Sequence, residues 1–369
     1  MIPSSIVPII KCVGFSCNLR CIYCFYHQDN QSIKNLTVMR DNVLDKMIKE
    51  IFSFKQKSYS FVWHGGEPLL AGLEFFEKVI VYQKKYNVHS AFVSNRIQTN
   101  GTLLSDEWID FIIKNRFAIG ISIDGPEFIH DKYRKNIQGQ GSYKTIIGNI
   151  RNAQEKGLKI AVIAVITSFS VQFPDEIYEF FISNGIKNIA LNPVFEVNQD
   201  GKVCEFSVSD KDYNYFITRI IERWAKDDDP EIRVRQIQEP LDGLLLGHNT
   251  ICNYSGTCSH DICIFPDGKV TPCHEMVGDR SVIFGDIKNQ SLQSILSGAE
   301  YQSFQSFTLT LPKECQICQW VSVCNGGCTH HRHNLTEKYI YCGSRKKVFE
   351  ILEKKIQIYN KLFLRGEKL

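Results

Sequence analysis

Three cysteines crowd together near the start of the chain, Cys17, Cys21 and Cys24, in the segment CNLRCIYC. Thiolates are soft ligands, and cysteines gathered this closely in a reducing compartment point to metal rather than to disulfides. Zinc is one occupant, but a structural zinc site closes its shell with a fourth protein ligand. Three ligands leave one position open. A [4Fe-4S] cluster held by three cysteines has such an open iron, and CX3CX2C directly after a first apolar strand is a specific signal for it.

A second set follows: Cys252, Cys258 and Cys273, then Cys315, Cys318, Cys324, Cys328 and Cys342. The core CX2CX5CX3C with a distant CX13C partner completes eight thiolates, enough for two four-ligand sites. Zinc ribbons could use the same count, and residue type does not separate them from iron-sulfur clusters. Cys12, Cys204 and Cys263 are left over and read as small buried hydrophobes. His330, His331 and His333, beside Cys328, read as a solvated turn.

The elements that must position these residues alternate. Apolar runs over 6–13, 58–63, 91–98, 117–123, 159–166 and 188–191 read as strands, with helical patterns near 40–55, 73–86, 105–114, 142–156 and 174–184. Gly157 and Gly185 stand where a helix should stop. Such an alternation folds as a partial barrel or as an open doubly wound sheet, and both place chemistry at the carboxyl ends of the strands. Residues 205–248 read as one or two helices, the run KDDDP at 226–230 ending the one that holds Trp224. From 250 to 343 the elements are short and rich in Cys, Gly and Pro, too irregular to bury a large apolar core, so metal should hold them together. A helical pattern returns from about 344.

The 369 residues are 43% hydrophobic and 22% charged, which excludes a disordered or collagen-like chain. Forty-three Lys and Arg against forty Asp and Glu leave +3, too little to imply a nucleic-acid or anionic-membrane partner. No apolar run is long enough to span a bilayer and the first residues carry no basic leader, so a cytoplasmic protein is expected.

With GGEP at Gly65, Gly66, Glu67 and Pro68, QTNG at 98–101, and Ser122 with Asp124-Gly125-Pro126, each at a successive strand end, the cysteine triplet resembles the radical S-adenosylmethionine (SAM) enzymes. The resemblance implies a partial (β/α)6 TIM barrel whose open iron chelates the methionyl amine and carboxylate of SAM. Gly65, Gly66 and Glu67 would shape the backbone that meets the amine, and the glycines allow that close approach. Ser122, with Asp124 beyond it, sits where relatives contact the ribose or carboxylate, and Tyr26 lies near the adenine. Relatives often carry an Arg near the start of the helix after the fourth strand; 146–149 has none, and Arg134 or Asn149 is the substitute.

The later cysteines resemble the SPASM domain, with two auxiliary [4Fe-4S] clusters and so three clusters in all. By that resemblance the first takes Cys252, Cys258, Cys273 and Cys328, the second Cys315, Cys318, Cys324 and Cys342. The implied organisation is a radical SAM partial barrel over 1–200, a helical bridge over 201–249, an irregular iron-sulfur SPASM domain over 250–343 and a C-terminal helix over 344–369.

The segments CFYH at 24–27, MRDNVLD at 39–45, GGEPLLAGLEFFE at 65–77, HDxxR at 130–134 and DGLLLG at 242–247 resemble anaerobic sulfatase-maturating enzymes in particular. The family oxidises a Cys or Ser of a sulfatase to formylglycine: an adenosyl radical removes a β-hydrogen, a base takes the side-chain proton, and the second electron leaves through the auxiliary clusters. Its basic Asp follows the third cysteine of the first auxiliary set, where this chain has His274 and Glu275; His64 stands where close relatives have Gln. His274 suits a base, with an ordinary pKa of roughly 6.5. The alternative is a maturase that cross-links a ribosomally made precursor peptide. Either implies a protein or peptide substrate and a low-potential electron donor such as flavodoxin or ferredoxin, with no nucleic acid and no membrane.

Overall fold

The computed structural model describes residues 3, 5–27, 36–198, 200–273, 276, 282–332 and 337–364, with side chains to 358. His274, Glu275 and His333 lie outside the described residues. The strands are β1 (Val7–Ile10), β2 (Ser58–Trp63), β3 (Phe92–Thr99), β4 (Ala118–Ser122), β5 (Ile160–Ile166), β6 (Asn188–Pro193), β7 (Arg233–Val234), β8 (Asp261–Ile264), β9 (Lys269–Thr271) and β10 (Gly285–Asp286). The helices used below are α1 (Asp41–Phe52), α2 (Leu73–Tyr86), α3 (Asp106–Asn115), α4 (Glu127–Tyr133), α5 (Tyr143–Glu155), α6 (Pro174–Ser183), α7 (Asp210–Asp227) and α8 (Arg235–Leu246). Short helices surround the later cysteines, and a long one, Cys342–Leu364, begins two residues before the expected start.

The chain forms two compact units: Met1–Ile163 with Ser259–Thr308, and Ala164–Cys258 with Leu309–Leu369. In the first, β1 to β5 pair in parallel, with Ile10 opposite Trp63, Trp63 opposite Ile97, Thr99 opposite Ile121 and Ser122 opposite Ile163. This register brings the loops after β1, β2, β3 and β4 to one edge, the carboxyl ends of the strands. The helices bury one face each. In α1 that face is Val43, Leu44, Met47, Ile48, Ile51 and Phe52, the three-to-four spacing of an amphipathic helix. Ser105 starts α3 by accepting the N–H of Trp108, and Gly157 ends α5 in the left-handed region at φ +82°. Trp63, Phe75, Phe76 and Trp108 meet edge to face behind β2, with the indole N–H of Trp63 donated to Asn95 Oδ1 at 3.0 Å.

The stretch after 259 is less irregular than its composition suggests. β8 pairs in parallel with β1, Val7 opposite Asp261 and Ile10 opposite Ile264, and β9 and β10 add antiparallel strands. Ile262, Cys263, Ile264, Val270, Leu292 and Ile295 are buried, so a hydrophobic core holds part of the segment assigned to metal.

In the second unit β6 and β7 pair in parallel, α7 packs beside α6, and the last helix packs on α7 and α8. Asp227 ends α7 and Asp228 takes a left-handed conformation at φ 48°, the stop expected at KDDDP. Asp210 accepts the N–H groups of Gly343 and Ser344 at 2.9 Å, which caps the last helix just after Cys342. Among the described residues no helix is long and apolar enough to cross a membrane.

Candidate functional site

Cys17, Cys21 and Cys24 follow β1, half-buried, and their thiols feel one another. Burial pushes Cys17 up to about 12, with Glu67 and then Cys21 and Cys24 adding to it. Cys21 is likewise pushed up to about 12 by burial, against the pull of the Arg134 guanidinium. Metal binding removes such protons, so the site is unfavourable as bare thiolates and fitted to a cationic core. Among the described residues no three or more His, Cys, Asp and Glu side chains are grouped to hold a metal ion. The ligands of a cubane stand farther apart than those of one ion, because each thiolate takes its own iron.

Hydrogen bonds fasten these cysteines to the neighbouring strand ends. Asn100 Nδ2 reaches Cys17 Sγ at 3.6 Å and donates to Asn18 Oδ1 at 2.8 Å, while Asn18 Nδ2 donates to Thr102 Oγ1 at 2.8 Å. Glu67 is wholly buried; its Oε1 accepts Thr99 Oγ1 at 2.7 Å and the Leu69 N–H at 2.9 Å, and its Oε2 accepts the Asn100 N–H at 2.7 Å. Gly66 lies so close to the chain before Cys17 that a Cβ there would stand 2.1 Å from Ser16 O, and its φ is +53°. A Cβ on Gly65, φ +109°, would meet Lys11 Cδ at 2.2 Å. Gly66 thus lies backbone against backbone, and Gly65 against the Lys11 side chain.

The end of β4 carries a second network. Asp124, 2% exposed, accepts Arg134 Nε at 3.0 Å and the Tyr23 hydroxyl at 2.5 Å. Arg134 NH1 also reaches Cys21 Sγ at 3.9 Å, and its plane lies 5.4 Å from the Tyr23 ring. His130 Nδ1 accepts the Asp124 N–H at 3.2 Å, so its proton sits on Nε2, facing Ser142 Oγ at 3.0 Å. Burial, and then Arg134, hold His130 well below its ordinary value, and it is neutral. Ser122 Oγ accepts from Gln98 Nε2 at 3.0 Å. Asn149 donates to Gly101 O at 2.8 Å, occupied with the loop after β3.

Glu67, Asp124 and Arg134, expected at the cofactor, therefore have polar atoms engaged by the loops themselves, whereas Ser122 and Tyr26 keep half-exposed surfaces. Tyr26 stacks on Phe15 at 5.1 Å, with its hydroxyl against Lys11 Nζ and 3.4 Å from His64 Nδ1. Lys11 is fully buried and was missed from the sequence, although a lysine ending the apolar run VPII was a signal. Tyr23 and Asn100 were missed too; their types are common, and only contact with the cysteine loop marks them.

Of the later cysteines, Cys315, Cys318, Cys324 and Cys342 line one pocket in the second unit, with Trp320, Tyr339, Arg345 and Phe349 in its wall. The Cys315 thiol is raised by burial, then by Cys324 and Cys342, so these sulfurs share one field. A donor set of four thiols around such a space fits a fully ligated cluster. Cys252, Cys258 and Cys328 belong to the second unit and Cys273 to the first. Cys12 and Cys263 are fully buried, while Cys204 is only half-buried.

The radical SAM superfamily model matches residues 12–181, and the SPASM iron-sulfur cluster-binding domain model matches 252–319. A cysteine-type anaerobic sulfatase-maturating enzyme of Clostridium perfringens is 32% identical over 354 residues, 93% of this chain and 95% of the relative. A serine-type enzyme of Bacteroides thetaiotaomicron is 31% identical over 347 residues, 89% of this chain and 83% of the relative. Among solved structures, native anSMEcpe with bound AdoMet and Kp18Cys peptide superposes with a TM-score of 0.87 at 30% identity, covering 96% of this chain and 99% of that one. The chain is an enzyme of the radical SAM superfamily with a SPASM domain, and it belongs to the anaerobic sulfatase-maturating enzymes.

Proposed function

We propose that the enzyme oxidises a cysteine or serine side chain of a peptide or protein substrate to formylglycine, beginning with removal of a Cβ hydrogen. One observation carries the reading: of three neighbouring thiols after β1, Cys17 and Cys21 are hydrogen-bonded to the segments after β3 and β4, in a chain alike over nearly its whole length to sulfatase-maturating enzymes. Both cysteine-type and serine-type relatives match at similar identity, so either target is proposed.

Cys17, Cys21 and Cys24 would hold the first [4Fe-4S] cluster, with the backbone of Gly65 and Gly66, Ser122 and Tyr26 at the SAM. Together, when bound, cluster and SAM supply the hydrogen-abstracting oxidant. The protein's part is to orient and to keep water away. Glu67, Asn18, Asn100 and Thr102 fix the loops, and Arg134 donates toward Cys21 with its charge balanced by Asp124. These are positioning residues. His274, with Glu275 beside it, is proposed to accept the substrate's side-chain proton, from its place after Cys273.

Cys315, Cys318, Cys324 and Cys342 are proposed as ligands of one auxiliary cluster. For Cys252, Cys258, Cys273 and Cys328 the proposal of another rests on the cysteine order alone. A flavodoxin or ferredoxin is the proposed electron donor.

Deuterium labelling tests the reaction. A peptide deuterated at the target Cβ should pass its label to 5'-deoxyadenosine; transfer only from an α-deuterated peptide would sink the proposal.

A further inference from the structure

Arg345 lies three residues past Cys342 on the last helix and is 7% exposed. Its guanidinium is held between the rings of Tyr254 and Tyr339, 4.0 and 4.4 Å from their centroids. NH1 donates to Asn253 O at 2.7 Å and reaches Cys324 Sγ at 3.7 Å. Among the described residues no carboxylate pairs with it. Arg134, also buried against a cysteine sulfur, differs in this: Asp124 balances it at 3.0 Å. A buried cation needs an anion, and the Cys324 sulfur that Arg345 reaches is one of the four, with Cys315, Cys318 and Cys342, that line the pocket.

We propose that Arg345 sets the reduction potential of the cluster on Cys315, Cys318, Cys324 and Cys342, holding it above that of the cluster on Cys17, Cys21 and Cys24. The inference rests on the cluster assignment proposed above. A cluster with four thiolates is an anion, and an added electron makes it more negative. A fixed positive charge and a hydrogen bond to a ligand sulfur both favour the reduced form. At Cys21 the same guanidinium effect is cancelled in large part by Asp124. Arg345 acts through the cluster and is a positioning residue, so its signature is a potential rather than a rate.

The experiment uses the full-length, anaerobically iron-loaded enzyme and potentiometry followed by electron paramagnetic resonance. The signal of this cluster is the one lost in the double variant Cys315→Ala/Cys318→Ala. Arg345→Gln and Arg345→Met should lower its midpoint and leave the other signals in place, while Arg345→Lys should keep it near the native value. If the neutral variants lose this cluster's iron but Arg345→Lys retains it, the need for a buried cation is supported directly. A native midpoint in either neutral variant overturns the inference. Full iron content and unchanged signals in the double cysteine variant would instead overturn the cluster assignment, and the inference with it.

Discussion

Glu67 accepts the backbone N–H of Asn100 at 2.7 Å, so the loop after β2 is fastened to the loop after β3 by a wholly buried carboxylate. A glutamine there would turn an N–H toward Asn100. Glu67→Gln should cost about 1–3 kcal/mol, the price of a buried donor without a partner, read as a lower unfolding midpoint and weaker SAM binding. Burial raises Glu67 to about 7, against hydrogen bonds from Asn100, Leu69 and Thr99. The folded state thus holds this proton more tightly than the unfolded chain, whose ordinary value is 4.5. Stability from Glu67 is full below that value and falls as pH rises to about 7, and the variant should lose this slope.

His130 gives the opposite slope. Its folded value lies well below 6.5, through burial first and Arg134 second, so the unfolded chain binds the proton more readily. Its contribution is complete above 6.5 and declines as pH falls toward the folded value. Because Glu67 acts in the opposite sense over part of this range, the gap between the unfolding midpoints of the native enzyme and His130→Gln is the quantity to follow: measured from pH 8 down to pH 5 at roughly half-unit steps, it should shrink as pH falls.

Arg134 and Asp124 are both buried, so removing one leaves the other without its counter-charge. Arg134→Met should destabilise by about 3–5 kcal/mol. The double variant Arg134→Met/Asp124→Leu should recover much of that loss in chemical unfolding. Equal instability in single and double variants would show that the pair is not what matters.

Gly66→Ala would place a methyl 2.1 Å from the Ser16 carbonyl at a φ of +53°. The residue before Cys17 must then move. Iron content should fall by one cluster's share, and circular dichroism should show the fold retained.

Much of this was legible in the sequence. The strand over 58–63 was read to the residue, and the helices α2, α3, α5 and α6 within a residue or so of their ends, because their apolar spacing and glycine stops are local signals. α4 was not read: it is seven residues long, and His130 is buried on it by the Asp124 backbone rather than by periodicity. The pairing of β8 with β1 was also hidden, since Val7 and Asp261 are far apart in the chain and neither strand exceeds four residues. At the site, the cysteine spacings and GGEP were visible. What Glu67, Asp124 and Arg134 do was not, because a side chain turned to SAM and one turned to a neighbouring loop have the same sequence. Arg345 had no signal at all beyond its place near Cys342.

Formylglycine formation is tested most directly by high-resolution mass spectrometry of a CxPxR peptide after anaerobic incubation with the iron-loaded enzyme, SAM and reductant. Conversion of the target cysteine to formylglycine is expected, with a carbonyl that an aldehyde probe captures. Loss of two hydrogens without a capturable aldehyde, in a precursor peptide that then resists fragmentation, would contradict it and identify a cross-linking enzyme.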